Sequence, residues 1–226
     1  MKRGTGRRPC QDGRVNGSGP TPAESDIAIG CFASLCRDRL ADQLLALSRL
    51  APQSGIGVHE LTLTELLPAV RSGGVALAVA PEGSVEGEAA LASMALWCER
   101  AVVAVAADHP LAGQRALSPD VLVDAVVLLS TDRPESEMQR YLLTRLFGTQ
   151  RPPVDARPGG GEALMARVVA GEGVALVLAG HPVPTGVVTR PIAGAAACFA
   201  VRAWWRADDR SPALAILLRL LGKASD

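Results

Sequence analysis

A chain of 226 residues with 23 basic and 23 acidic side chains has zero formal net charge and an isoelectric point near 6.8. That balance gives it no bulk electrostatic pull toward nucleic acid or an anionic membrane. Hydrophobic residues make up 48% of the chain but aromatic ones only 3%, so the expected core is aliphatic, built from many Ala, Val and Leu contacts.

Residues 1–25 combine Gly, Pro and Ser with Lys2, Arg3, Arg7 and Arg8 and offer almost nothing to bury. They read as a disordered basic tail. The basic start is not followed by the 7 to 15 apolar residues of an export signal. No window approaches the ~18 uninterrupted apolar residues of a membrane span. Five cysteines at irregular spacings, Cys10, Cys31, Cys36, Cys98 and Cys198, argue against a secreted disulfide framework and for a reducing compartment, the cytoplasm.

From Asp26 the texture changes to short apolar strands alternating with amphipathic helices. "DIAIGCF" predicts a strand, and "RDRLADQLLALSRLA" a helix with Leu40, Leu44, Leu47 and Leu50 at helical spacing, ended by Pro52. "GIGVHEL" is a second strand. Thr62 then serves as N-cap with Glu65 reaching back, opening a helix that Gly73 and Gly74 stop. "VALAVA" is a third strand, and near-continuous apolar strands in this alternation predict a parallel sheet covered on both faces. Beyond a loop, "ALWCERAVVAVAA" is extended and "SPDVLVDAVVLL" is a short helix and a strand. "PESEMQRYLLTRLFG" is a long helix with Met138, Tyr141, Leu142, Leu146 and Phe147 on one side. "PPVDARP" is a short strand, and "GGGEALMARVVAGEGVALVLAG" repeats helix, glycine turn and strand. "ACFAVRAWW" and "SPALAILLRLLGKA" supply a last strand and a closing helix.

Four segments in register carry a resemblance: "IGCFASL", "ELLPAVRSGGVALAV", "ADHPLAG" and "LMARVVAGEGVALVL". Over residues 26–223 the chain resembles the effector-binding domain of LysR-type transcriptional regulators, an α/β fold of the type 2 periplasmic-binding-protein architecture. The resemblance implies two αβ lobes joined by two crossover strands. Lobe I would comprise 26–101 and 194–226, lobe II 102–193, with the crossing at Ala107, His109 and Pro110. His109 is then a joint in the chain, since no nucleophile stands at a spacing that would make it catalytic.

In such a lobe the ligand sits beyond the carboxyl ends of the strands, against helix N-termini. Ser34 and Leu35 follow the first strand at such a place, and Ser34 matches a frequent ligand-contacting Ser or Thr of the family; Ser34 equally suits a plain N-cap. The family's second contact region falls on Thr62, Leu63 and Thr64, with Leu63 at the usual Ser/Thr position. Ser130 and Thr131 would face the cleft from lobe II, or serve as turn residues. Gly160 and Gly161 would let backbone approach an anion. Ala76 stands where the family commonly has Asp, which implies a less polar pocket.

Cys31 and Cys36 flank the first helix start. Two readings stand: an oxidant-sensing thiol near a helix N-terminus, or small buried hydrophobes, the second preferred. Their positions do not resemble those of the family's peroxide-sensing branch. His59, His109 and His181 are too far apart for a metal site, and "GGGEAL" lacks the lysine of a nucleotide loop, so no cofactor is expected. No helix-turn-helix precedes lobe I, so the chain is expected not to bind DNA by itself. The expectation is an effector-binding and dimerisation module for a small anionic organic molecule, without enzymatic activity. It would act as a homodimer or as a heterodimer with a full-length regulator, using residues 39–50 against a lobe II helix. The competing class is a solute-binding protein or an enzyme on the same scaffold.

Overall fold

The computed structural model describes residues 26–33, 35–36, 39–83, 90–133 and 135–224; the tail expected at 1–25 and the candidate Ser34 lie outside the described residues. Strands β1 (Ile27–Phe32), β2 (Ile56–Leu61) and β3 (Leu77–Pro81) are linked by helices α1 (Ala41–Leu50) and α2 (Leu63–Arg71). β1 pairs in parallel with both β2 and β3. The chain continues as β4 (Leu91–Ala106), a 3-10 turn (Pro110–Gly113), α3 (Pro119–Leu122), β5 (Val127–Ser130), α4 (Glu135–Phe147) and β6 (Val154–Arg157). It closes with α5 (Gly161–Val169), β7 (Ala175–Leu178), β8 (Val187–Pro191), β9 (Cys198–Arg206) and α6 (Pro212–Ala224).

The first lobe is a mixed sheet in the order β2-β1-β3-β9-β4. The parallel pairing expected of the first three strands is present, and β9 runs antiparallel to both β3 and β4. The reason is topological. β4 carries the chain out of this lobe and β9 brings it back, so the two must run in opposite directions. The apolar runs are nonetheless real: all five residues of β3 are buried.

In the second lobe β7 and β8 flank the far end of β4, and β5 pairs in parallel with β6. Period-two alternation divides the side chains between two cores. Val103, Val127 and Leu129 join Leu142, Leu143 and Leu146 of α4 in the larger cluster. Val102, Ala104, Leu128, Ala175 and Val177 face Leu164, Met165 and Val168 of α5 in the smaller one. Gly173 lets β7 approach β5, because a Cβ there would strike the Val126 carbonyl oxygen.

β4 changes partners at one peptide: Arg100 faces Cys198 of β9, whereas Ala101 faces Leu178 of β7. The crossing is here. The residues expected as the hinge, Ala107, His109 and Pro110, lie past the end of β4, beside β8. Ala107 N–H donates to the Gly186 carbonyl at 2.8 Å, and His109 Nδ1 accepts from Leu111 N–H at 3.1 Å, capping the 3-10 turn. A His-Pro pair marks the corner where a strand must end, whereas the crossing occurs inside an uninterrupted strand and leaves no punctuation in the sequence.

Helix α4 ties the lobes together. The Tyr141 ring stands edge-on between Phe32 of β1, at 5.8 Å, and Phe199 of β9, at 5.3 Å. Its burial pushes the phenol pKa up. Arg145 Nε and Nη2 donate to the carbonyls of Ala196 and Cys198 at 2.9 and 3.0 Å. No helix among the described residues is long and apolar enough to cross a membrane.

Candidate functional site

A cavity of about 620 Å³ opens between the lobes, in the size range of small-molecule sites. Leu35 from the turn after β1, Met138 from α4, Leu164 from α5 and the β7 residues Leu176, Val177 and Leu178 give it an apolar wall. Arg39, Glu99, Gln139, Gly161 and His181 supply polar groups.

Glu99, only 4% exposed, sits on β4 beside the crossing. Its carboxylate accepts from Arg39 Nη2 at 3.3 and 3.4 Å, from Trp97 Nε1 at 3.2 Å and from its neighbour Arg100 N–H at 3.3 Å. The Arg39 guanidinium also lies 5.9 Å from the Trp97 ring centroid. Four hydrogen bonds from three donors, one of them the Arg39 cation, make this buried charge tolerable, and they lash the turn before α1 to the crossing strand.

On the lobe II side the geometry is set by Gln139, 3% exposed. Its Oε1 accepts the Ser130 N–H at 2.9 Å. That bond decides the orientation of the amide: the carbonyl must face Ser130, so the –NH₂ group faces the cavity. Among the described residues it has no other partner. Beside it begins α5, whose N-cap Gly160 has no side chain to satisfy the first-turn amides, which therefore present positive dipole toward the same space. Exposed Glu162 shares that turn.

Two loops are stitched together below this point. Ser130 Oγ donates to the Gly159 carbonyl and accepts Asp132 N–H at 2.9 Å, while Gly159 N–H donates to Asp132 Oδ2 at 3.0 Å. Thus the Ser130 hydroxyl, proposed as a ligand contact, is already engaged and 2% exposed. Thr131 is exposed, its N–H donating to Arg157.

Of the candidates named from sequence, Leu35 and Gly161 line the larger cavity. Gly160 is exposed at the start of α5. Thr62 lines a second cavity of about 280 Å³ with Glu60, Leu61, Glu65, Arg133 and Glu137. There Glu65 reaches back as expected: its Oε2 accepts from Thr62 N–H and from Thr62 Oγ1, each at 2.8 Å. The backbone bond first, then the hydroxyl, holds the Glu65 carboxyl below its ordinary range, and Arg133 adds to this. Thr64 Oγ1 lies 3.0 Å from Thr62 Oγ1 and Leu63 packs half-buried on the core. Arg133 meets Glu65 across the lobes at 3.3 Å, but both are half exposed and such a pair contributes about 0–1 kcal/mol.

Sequence reasoning passed over Arg39, Glu99, Met138, Gln139 and the β7 residues. Gln139 had left a signal: it interrupts the apolar stripe of Met138, Leu142 and Leu146. No grouping of three or more potential metal-ligating His, Cys, Asp or Glu side chains occurs among the described residues.

A family model described as the LysR substrate binding domain matches residues 21–226. The fold is similar to that of the effector-binding domain of a BenM variant, with a TM-score of 0.75, 21% identity and coverage of 88% of this chain and 94% of that one. The BenM effector-binding domain with its effector benzoate gives 0.72 at 22% identity, over 88% and 90%. The reduced form of the OxyR regulatory domain from Pseudomonas aeruginosa gives 0.69 at 22% identity, over 88% and 98%. No curated protein matches the chain.

Proposed function

Because the chain belongs to the LysR substrate-binding domain family, a family of regulatory small-molecule-binding domains, we propose that it takes a small organic anion in the cleft between its lobes. In this reading it acts inside the cell as a sensor, not a catalyst. The single observation that carries the reading is the amide of Gln139, a cavity-lining residue whose Oε1 is held by Ser130 N–H, which leaves its –NH₂ donors for the cavity beside the open start of α5. A ligand offering only acceptors at one end satisfies those donors. Its body lies along Leu35, Met138, Leu164 and Leu178, so the favoured molecule is apolar with one carboxylate, of the kind that benzoate is for BenM.

Neither Thr62, Leu63 and Thr64 nor Ser130 and Thr131 are needed as direct contacts in this pose; Leu35 and Gly161 are. The lobes, 26–101 with 194–226 and 102–193, close on the ligand, and a second copy of the chain or a full-length regulator reads the closed form. A ligand that prefers one lobe arrangement shifts the population by its differential affinity.

A thermal-shift screen tests this, comparing benzoate and other small aromatic and aliphatic carboxylates with their neutral amides. A carboxylate at 100 times its Kd adds about 2.7 kcal/mol and raises the melting point, while its amide does not. If amides and carboxylates stabilise equally, or none stabilises, the anion reading is wrong.

A further inference from the structure

Cys31 ends β1 and Cys36 lies in the turn that follows; the two are joined as a disulfide, with Cα atoms 6.0 Å apart. That spacing falls within the roughly 4.4–6.8 Å a disulfide spans. Both residues are buried, at 1% and 5% exposure. Cys98 and Cys198 are unbonded. The position of the pair in the fold gives it a role. Leu35, which lies inside the ring the bond closes, forms part of the cavity wall, and Arg39, just beyond the ring, lines the cavity and holds Glu99. Within the same ring Ala33 is at φ +45°, a left-handed conformation unusual for a residue with a side chain. Its N–H donates to the Leu61 carbonyl at 3.3 Å.

The bond therefore fixes the shape of the lobe I lip. As a staple for the whole chain it stands at the lower end of what disulfides contribute, since a short ring removes less freedom from the unfolded state than a long one. We propose that Cys31 and Cys36 form a reversible redox couple, oxidised by a hydroperoxide and reduced by a dithiol, whose state sets the conformation of the cavity lip. The couple goes beyond the effector reading and stands whether or not the cavity takes an anion.

The chemistry balances with those two reagents. One cysteine, as thiolate, attacks the peroxide; an S–O bond forms, the O–O bond breaks and one water leaves, or an alcohol from an organic peroxide. The second thiol displaces hydroxide from the sulfenic sulfur; the S–S bond forms and a second water leaves. Two thiols lose two electrons and two protons while the peroxide gains them. Burial limits access of the peroxide and slows the first step, whereas a partner already at bonding distance accelerates the second. Reduction reverses the bond through a mixed disulfide.

The test uses the full chain, reduced with dithiothreitol, desalted without air, treated with hydrogen peroxide under native conditions and alkylated for mass spectrometry. Cys31 and Cys36 are expected to lose alkylation together, with a two-proton mass loss confined to their peptides. Dithiothreitol is expected to restore both on the folded chain. The oxidised form should melt about 4–8 °C above the reduced form, the shift given by so short a ring. Amide exchange at Leu35, Cys36 and Arg39 should slow on oxidation. Cys36→Ala, and Cys31→Ala as a second variant, should abolish the shift and the exchange difference. Continued alkylation of both cysteines after peroxide overturns the proposal, as does a bond that yields to dithiothreitol only after unfolding, or an unchanged exchange pattern at the lip.

Discussion

Replacing Gln139 separates what it does for the fold from what it does for the cavity. In Gln139→Leu the apolar volume is kept, but the Ser130 N–H, in a residue 2% exposed, loses its acceptor. A buried donor left unpaired costs about 1–3 kcal/mol. For a chain of this length each kcal/mol is worth roughly 2–4 °C, so the central expectation is a fall in Tm of about 4–8 °C. Gln139→Glu instead keeps an acceptor for Ser130 and turns the cavity-facing donor into an acceptor. A carboxylate ligand then loses a charge-assisted hydrogen bond of about 1.5–3 kcal/mol and meets a like charge, so its Kd rises at least ~10-fold. Thermal melts and calorimetric titration with the best carboxylate of the screen read the two effects separately. Should Gln139→Leu melt with the wild type, the amide does not hold Ser130. Should Gln139→Glu bind the carboxylate undiminished, the donor pair does not face the ligand.

Glu65, held below its ordinary carboxyl value of 4.5 by Thr62, stabilises the start of α2 fully above that value and loses this as pH falls through the lowered one. Acid titration followed at the Thr62 amide should show the loss, and Glu65→Gln should remove the pH dependence. Thr62→Ala should cost about 0.5–2 kcal/mol in denaturant melts. Gly159→Ala places a Cβ 2.6 Å from that of Ala163 at a φ of +127°, so it should destabilise by roughly 1–3 kcal/mol and loosen the Ser130–Asp132 stitching, visible as faster amide exchange there. Leu66→Ala and Leu142→Ala, both at fully buried positions, should each cost about 2–5 kcal/mol by equilibrium unfolding.

Most elements were legible because their periodicity and their stops coincide: α2 ends where Ser72 and Gly73 follow it, and α4 runs to Phe147 before Gly148. β8 was missed. Its Thr189, Arg190 and Pro191 are only partly buried or exposed, so it carries no apolar run, and it is a strand because β4 offers it a ladder. Leu35 and Gly161, named from where a βα turn must lie, do line the cavity. Ser130 had the right residue type, but its hydroxyl is spent on Gly159, a partner far along the chain that local pattern cannot reveal. Glu99 and Arg39 were hidden for the same reason: their meeting is made by the fold.

The partner exchange in β4 bears on how the halves can move. Its backbone is laddered to one half up to Arg100 and to the other from Ala101, and the Arg100 carbonyl itself accepts from Ala179 N–H at 2.7 Å. At this crossing the two bodies share a ribbon. The lobe closure proposed above would then twist that ribbon at the Arg100–Ala101 peptide, where its partners change.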